Sequence, residues 1–351
     1  MIKLLVVDDS ALMRRQLVSL FEIEGDFEIR VARNGKEAVE ENIRFKPDVI
    51  TLDINMPEMD GLTALSLLMA ERPVAVIMVS SLTEKGALAT FEALALGAVD
   101  FIPKPGGTIS LSIDVIKRDI VEKVRAAARS KLRTAHSLSS RIRAERSRSE
   151  RASTPVRRGI TGEGLVIIGV STGGPRTLED ILPLLPADFP WPVLVAQHMP
   201  ASFTLAFAKR MNDLCSLQVV EASHPMPLEP GMIFVGKGGA DMTVAKRAGK
   251  LTVLSRPEAA GYLWHPSVEL MGRSVIEHCD LTRVIGVMLT GMGYDGADAF
   301  NEIKLKGGRT IAESEQSSVV FGMPAELIKR GGASVVLDSD KIANQLINWT
   351  R

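Results

Sequence analysis

The sequence predicts an α/β protein built of two doubly wound parallel-sheet domains. Three observations carry this. Short apolar runs alternate with amphipathic stretches from residue 2 to about 125, and the alternation begins again near residue 163. Strands and helices that alternate with short connections build a parallel sheet covered on both faces. Between the two stretches lies a segment of opposite character, rich in arginine and serine and without aromatics. The length, 351 residues, suits two domains at roughly 100–200 residues each.

The elements follow in order. In the first domain, residues 2–7, 28–32, 49–52, 74–79 and 101–102 read as strands. Residues 11–24, 36–44, 61–71 and 85–96 read as helices, and a last helical stretch starts near residue 109. Residues 125–158 then hold eleven Lys or Arg side chains against two acids. Such a composition cannot bury a core, so residues 126–162 are expected to be a flexible tether whose earliest part extends the last helix. A basic Ser/Arg stretch can also meet nucleic acid or anionic lipid. No aromatic residue interleaves these arginines to stack on bases, which favours the plain tether. In the second domain, residues 165–170, 193–197, 232–235, 251–254, 284–289, 309–312 and 334–336 read as strands, with helical patterns between most of them. The domains are therefore placed at residues 1–125 and 163–351.

Composition narrows the function. Lys and Arg number 42 and Asp and Glu 42, so overall charge implies no polyanionic partner, and no nucleic acid is expected. Two cysteines, Cys215 and Cys279, are too few for a disulfide framework or a zinc cage. The start "MIKLLVVDDS" lacks a signal-peptide layout, and no apolar run reaches ~18 residues. A cytoplasmic protein without membrane insertion is expected.

The first domain gathers acids and a lysine at one edge. "VVDDS" puts Asp8 and Asp9 directly after the first strand, and "VITLDINMPEMDG" puts Asp53 after the third. "VIMVSS" ends the fourth at Ser80, and "DFIPKP" puts Lys104 after the fifth. Side chains at the carboxyl ends of parallel strands converge on one crevice. Three carboxylates packed there repel unless a hard divalent cation neutralises them, and an open set of oxygen ligands suits Mg²⁺. Asp9 and Asp53 would hold it directly, and Asp8 through water. Asp53 would then attack phosphorus to form an acyl phosphate, with Lys104 and the Ser80 hydroxyl on the phosphoryl oxygens. Singly, each residue has a plainer role: Asp8, Asp9 and Ser10 as helix caps, Lys104 as a surface lysine. Jointly, on four strand ends, they favour the site. The set resembles the receiver domain of two-component response regulators, with Phe101 at the switch aromatic and "MPEMDGL" in the loop after the phosphoacceptor. The resemblance spans residues 1 to about 125. It implies strand order 2-1-3-4-5, Mg²⁺, and phosphotransfer from a histidine kinase.

In the second domain "IIGVSTGGP" ends a strand at Ser171. Locally that serine can be a nucleophile, a helix cap or part of a phosphate cradle. "PVLVAQ" runs into His198, and "VIGVMLTGMGYDG" ends in a Gly-rich turn bearing Asp295. In a parallel sheet all three share the carboxyl edge. Acyl transfer needs such a set: a serine hydroxyl, an imidazole to take its proton, and a carboxylate to fix the imidazole tautomer. Backbone amides near Met292, and the helix start after "STGGP", are candidate oxyanion donors. A dinucleotide cradle wants an acid at the end of the next strand, about 20 residues on, where this chain has Gln197-His198. The glycines after Ser171 then read as room for backbone and substrate to approach. Asp298 is a rival to Asp295, with a helix start as its plainer role. His136, His224, His265 and His278 are read as structural or surface residues.

"GVSTGGP", "QHMP" (197–200), "LTGMGYDGA" (289–297) and "IAESEQSSVVFGMPAELIKRGGA" (311–333) resemble the catalytic domain of the chemotaxis protein-glutamate methylesterases. With the receiver in front, the resemblance covers the whole chain. It implies a flavodoxin-like receiver followed by a Rossmann-like serine hydrolase domain. It implies Ser171 as nucleophile, His198 as base, Asp295 as its partner, and Thr172 and Met292 as supporting groups, with no cofactor in the esterase domain. The implied substrate is methylated glutamate on the cytoplasmic helices of a chemoreceptor, with methanol released. Deamidation of receptor glutamine is the same chemistry with another leaving group. The expected control is a receiver that covers the Ser171 cleft until phosphorylation at Asp53 moves Ser80 and Phe101 and shifts the population open. One departure stands out: His265 occupies a position where the family commonly has arginine. Two other classes remain at this stage, a nucleic-acid-binding regulator using the basic segment and an interaction module with a vestigial triad.

Overall fold

Strand and helix alternate along the first unit as the apolar pattern demands. In the computed structural model, which describes residues 1–81, 83–104, 113–130 and 164–351, the chain divides into Met1–Leu132 and Arg133–Arg351. The first unit runs β1 (Ile2–Val7), α1 (Ala11–Glu24), β2 (Phe27–Ala32), α2 (Gly35–Phe45), β3 (Val49–Asp53), α3 (Gly61–Glu71), β4 (Ala75–Ser80), α4 (Glu84–Leu96), β5 (Asp100–Pro103) and α5 (Ile113–Ala128). The sheet order is β2-β1-β3-β4-β5, all parallel, the order that the receiver resemblance implied. Strands β3 and β4 are buried along their whole length, as strands covered on both faces must be. Ser10, Asn34, Asp60 and Thr83 each accept an amide hydrogen bond from the first turn of the following helix. Such N-caps contribute about 1 kcal/mol each and fix where the loops at this edge end.

The expected tether begins inside a helix, because α5 continues to Ala128. The rest of it, residues 131–163, lies outside the described residues, as do residues 105–112.

The second unit runs β6 (Leu165–Val170), α6 (Gly174–Ile181), β7 (Val193–Gln197), α7 (Ala201–Leu214), β8 (Gln218–Ala222), β9 (Met226–Pro227), β10 (Met232–Gly236), β11 (Asp241–Arg247) and β12 (Lys250–Arg256). It continues with α8 (Val268–His278), β13 (Val284–Met288), α9 (Ala297–Leu305), β14 (Arg309–Glu313), α10 (Met323–Lys329), β15 (Val335–Leu337) and α11 (Ser339–Trp349). Seven strands form one parallel sheet, β15-β14-β13-β6-β7-β10-β8. From β6 the chain builds outward through β7 on one side; it later returns to place β13 on the other. The two directions part between β6 and β13, and ligands of open α/β sheets bind in the crevice at such a switch point. Ile167, Leu194, Phe234, Met288 and Phe300 are among the buried residues of the core.

The strand expected at 251–254 is present but lies in a different sheet. It belongs to β12 in a three-stranded antiparallel sheet, β11-β12-β9. The reason is the turn between β11 and β12. Arg247 pairs with Lys250, so only Ala248 and Gly249 connect the strands, both at positive φ (48° and 79°). That geometry suits a two-residue hairpin and enforces an antiparallel pair. Strands β8, β9 and β11 went unread in the sequence. Among the described residues no helix is long and apolar enough to cross a membrane.

Gly169, two residues before Ser171, leaves no room for a side chain. A Cβ there would meet Val268 Cγ1 at 2.4 Å. Gly169→Ala is expected to destabilise the second unit by about 1–3 kcal/mol through overpacking. Val268→Ala in the same chain should recover part of that loss, read as a non-additive double-mutant cycle in urea midpoints. Additive losses would place the strain elsewhere.

Candidate active site

At the edge of the first unit, one ligand atom from each of Asp8, Asp9 and Asp53 lies within 4.8 Å of the others. Lys104 Nζ sits 3.1 Å from Asp8 Oδ2 and 2.7 Å from Asp53 Oδ2. Both Oδ2 atoms are buried and accept no other hydrogen bond. Burial pushes the Asp53 carboxyl up, Lys104 pulls it back, and the Asp8 charge adds to the rise; the net shift is upward. Burial lowers Lys104, but its two carboxylate partners outweigh that and raise it. A carboxylate cluster with one ammonium to balance it is the donor set that a hard divalent cation fits. Asp8 is not a cap: α1 is capped by Ser10, whose amide Asp8 Oδ1 holds at 2.9 Å.

The Ser80 hydroxyl and the Phe101 ring have partners outside this cluster. The Ser80 hydroxyl donates to Gly86 O in α4 at 3.2 Å. Phe101 is buried, edge-on to Phe91, with Lys123 Nζ 5.6 Å from its ring centroid. Lys123 also pairs with Asp100 at 3.2 Å, a buried ion pair absent from the sequence-level expectations.

At the edge of the second unit, β6, β7 and β13 run parallel, so Ser171, His198 and the turn after Met288 emerge side by side. The backbone ties them together. The Ser171 amide donates to Thr290 O (3.0 Å), the His198 amide to Val170 O (3.1 Å), and Gln197 Nε2 to Ser171 O (3.0 Å). The helix-cap reading of Ser171 fails here. The N-cap of α6 is Gly173, at φ 79°, and no side chain caps it. The paired glycines also prove to be packing positions. A Cβ on Gly174 would lie 2.0 Å from Gln197 Oε1, and one on Gly173 2.6 Å from Val319. They admit the neighbouring side chains of Gln197 and Val319.

His198 Nε2 lies 2.9 Å from Asp295 Oδ2. Asp295 also accepts from Val268 N (2.7 Å), Glu269 N (3.0 Å) and Ser267 Oγ (3.0 Å), so the start of α8 closes around it. Burial raises its carboxyl, but the His198 hydrogen bond and the two amides outweigh this and hold it below the usual value. An ionised Asp295 makes Nε2 the donor, and whenever the ring is neutral this leaves Nδ1 as the lone-pair nitrogen. Nδ1 is buried and without a hydrogen-bond partner. The Ser171 hydroxyl, 6% exposed as a residue, therefore does not yet bond to it. Such contacts commonly tighten only with substrate in place. The rival Asp298 is exposed and paired with Arg330 in the first turns of α9.

Thr172 and Met292 lie on the two loops flanking Ser171. Their backbone amides donate no hydrogen bond within the described residues. Thr172 Oγ1 is buried and unpartnered. The Met292 turn comes this close because residue 291 is glycine: a Cβ there would lie 2.7 Å from Ser171 Cβ.

Sequence reasoning missed the residues that hold these loops. Thr290 Oγ1 donates to Thr172 O (2.9 Å) and accepts from Val320 N (2.9 Å). Fully buried Glu313, which ends β14 at the same edge, accepts from Thr290 N (2.8 Å) and Ser317 Oγ (2.9 Å). Its strand-end position was a legible signal; its partners were not. His265 turns away from the site, with Nδ1 at 3.0 Å from both oxygens of buried Asp241. Asp241 also accepts from the Ala259 and Ser267 amides, so this pair anchors the loop before α8. Trp264, next to it, stacks on His198. The cysteines stand apart from the site: Cys215 is buried, and burial pushes the Cys279 thiol up to about 11.

Known proteins share this organisation. Residues 166–346 match the CheB methylesterase family, and residues 4–115 match the response regulator receiver domain. A protein of Rhodospirillum rubrum named protein-glutamate methylesterase/protein-glutamine glutaminase 3 is 57% identical over 356 residues, covering 99% of this chain and 96% of that protein. A Vibrio cholerae protein with the same name is 45% identical over 328 residues, covering 93% of this chain and 91% of that protein. The crystal structure of the Thermotoga maritima CheB methylesterase catalytic domain matches with a TM-score of 0.51 at 36% identity, covering 54% of this chain and 99% of that chain.

Two outcomes are expected from the charges alone. The folded pKa of Asp295 lies below its unfolded value near 4. Its stabilisation is then fully present above about pH 4 and lost as pH falls through the lower, folded value. The urea-midpoint gap between wild type and Asp295→Asn should be full at pH 7 and narrow below about pH 4; a gap constant down to pH 3 contradicts the assignment. Mg²⁺ that neutralises the carboxylate cluster should raise the wild-type melting temperature and leave Asp53→Asn nearly unmoved. Equal shifts in both would remove Asp53 from the ligand set.

Proposed function

Because the chain belongs to the CheB methylesterase family and carries a response regulator receiver domain in front, we propose that it hydrolyses glutamate methyl esters on a chemoreceptor under the control of phosphorylation at Asp53. One observation carries the chemistry. His198 is held by an ionised, helix-anchored Asp295 at one ring nitrogen, while the other is free of partners beside the strand end that bears Ser171.

The steps follow from those atoms. His198 Nδ1 takes the Ser171 proton as Oγ bonds to the γ-carbonyl carbon of the ester. The Thr172 and Met292 amides receive the charge that develops on the carbonyl oxygen. The carbon–methoxy bond then breaks, and the proton on His198 leaves with the methoxy oxygen as methanol. Water attacks the acyl-serine, His198 takes its proton and returns it to Ser171 Oγ, and glutamate is released. An amide in place of the ester gives ammonia by the same route, so glutamine deamidation belongs to the same reading. No cofactor is assigned to this step.

In the receiver, taken as residues 1–125, Asp53 attacks the phosphoryl group of a histidine kinase and the phosphorus–nitrogen bond breaks. Asp8, Asp9 and Asp53 would hold Mg²⁺, which would neutralise the carboxylates and the incoming oxygens. Lys104 then pairs with the phosphoryl oxygens, and Ser80 and Phe101 change partners. Residues 126–162 tether this unit to the catalytic one, residues 163–351. The reaction is assigned to the cytoplasm, where the receptor helices lie; neither nucleic acid nor membrane insertion has a part in it.

The test is methanol release from methylated receptor, with and without acetyl phosphate and Mg²⁺. Wild type should release methanol faster when phosphorylated, and Asp53→Asn should not respond. Ser171→Ala should release none above background, and Asp295→Asn should fall by on the order of 10⁴-fold in kcat. Undiminished release by Ser171→Ala would falsify the serine mechanism.

A further inference from the structure

We infer that Trp264 is a positioning residue for the base His198, which goes beyond the Ser-His-Asp reading and rests on it. The two rings are parallel, with an interplanar angle of 2° and centroids 5.4 Å apart. This is an offset stack, a favoured aromatic arrangement. Among the described residues the His198 ring is otherwise held at Nε2, by Asp295, while its backbone amide donates to Val170 O and its carbonyl accepts from Gln197 Nε2. A ring held at one nitrogen can still swing its other nitrogen away from the serine. A flat face against it removes that freedom and aims Nδ1.

The platform is itself braced. Tyr294 meets Trp264 edge-on, with centroids 5.7 Å apart and an interplanar angle of 84°. Gly293 is a close-approach position, where a Cβ would lie 2.9 Å from the indole Cη2. On the adjoining residue, His265 is bound by both oxygens of Asp241. The indole therefore links the base to the turn that carries the Met292 amide. It also supplies something specific to the reaction. When His198 takes the serine proton it becomes a cation, and an indole is the best aromatic face for one. The contact is worth more after proton transfer than before, which is the condition for lowering a barrier.

The experiment uses the full chain, phosphorylated with acetyl phosphate and Mg²⁺, on a γ-methyl-glutamyl peptide. Trp264→Leu keeps bulk without an aromatic face, and Trp264→Phe restores a face. Misplacement of a base on the scale of 1 Å is worth about 100-fold. We expect Trp264→Leu to lower kcat by about 10- to 100-fold with KM within about threefold of wild type, and Trp264→Phe to recover kcat to within about threefold. Melting curves establish that both variants are folded; should Trp264→Leu not fold, Trp264→Met takes its place. A folded, aromatic-free variant with wild-type kcat overturns the proposal. So does an effect confined to KM, which would make Trp264 a substrate wall, or a Trp264→Phe as slow as the aliphatic variant. Wild type and Ser171→Ala are run alongside. Equal rates in those two would sink the underlying mechanism and not the role of Trp264.

Discussion

The second unit is organised around one buried carboxylate. Asp295 receives four hydrogen bonds, from His198, Ser267 and the Val268 and Glu269 amides. Those donors come from the loop after β7 and the start of α8, while Asp295 belongs to the turn after β13. A single anion thus joins three segments that are far apart in sequence. Burying a charge is expensive unless it is paired and hydrogen-bonded, so the fold reaches low energy only when all three segments converge. The same convergence assembles the site, and the stability of this corner and its chemistry have one cause.

This arrangement also suits a reaction. With the imidazole neutral, as a base must be before it takes a proton, the contact with Asp295 is a hydrogen bond to a carboxylate. In the proposed mechanism, proton transfer from Ser171 would turn it into an ion pair at a buried carboxylate. An interaction that strengthens as the barrier is climbed accelerates the step, whereas one equally strong throughout does not. The helix amides keep Asp295 ionised and draw no proton away from the ring, which preserves the tautomer with its lone pair on Nδ1.

Strand ends were the legible part of the sequence. Asp8, Asp53, Ser80, Lys104, Ser171 and His198 all terminate or follow apolar runs, and parallel strands bring such positions to a common edge of their own sheet; the structure has the first four at the edge of the first unit's sheet and the last two at the edge of the second unit's sheet. Glu313 ends a strand by the same rule, but in the run Ala312-Glu313-Ser314-Glu315 no histidine or aspartate stands beside it to mark a site. The contacts of Trp264, Thr290 and Asp241 were not readable. Each depends on a partner more than 20 residues away whose approach is set by loop conformation and not by periodicity. The β11–β12 hairpin was missed for a local reason. Its turn is Ala248-Gly249 and not an Asn-Gly or Asp-Gly pair, so positive φ at residue 248 had no side-chain signature.

The receiver edge solves the opposite problem. In the proposed reaction the carboxylates meet phosphorus, and in the structure they share one ammonium, that of Lys104, which pairs with both Asp8 and Asp53. The same proposal has phosphorylation recruit Ser80, whose hydroxyl here donates to Gly86 O. That commitment is weak by design of the carbonyl's surroundings: Gly86 O also accepts from Thr90 Oγ1 at 2.7 Å, shorter than the 3.2 Å bond from Ser80. If Ser80 turns toward a phosphoryl oxygen, the carbonyl keeps its better donor and no buried acceptor is orphaned. The penalty of an unsatisfied buried group, about 1–3 kcal/mol, is avoided. The move exchanges a neutral hydrogen bond for a charge-assisted one, roughly twice as strong. On the proposed reading, the phosphoryl charge itself would bias the switch at this edge.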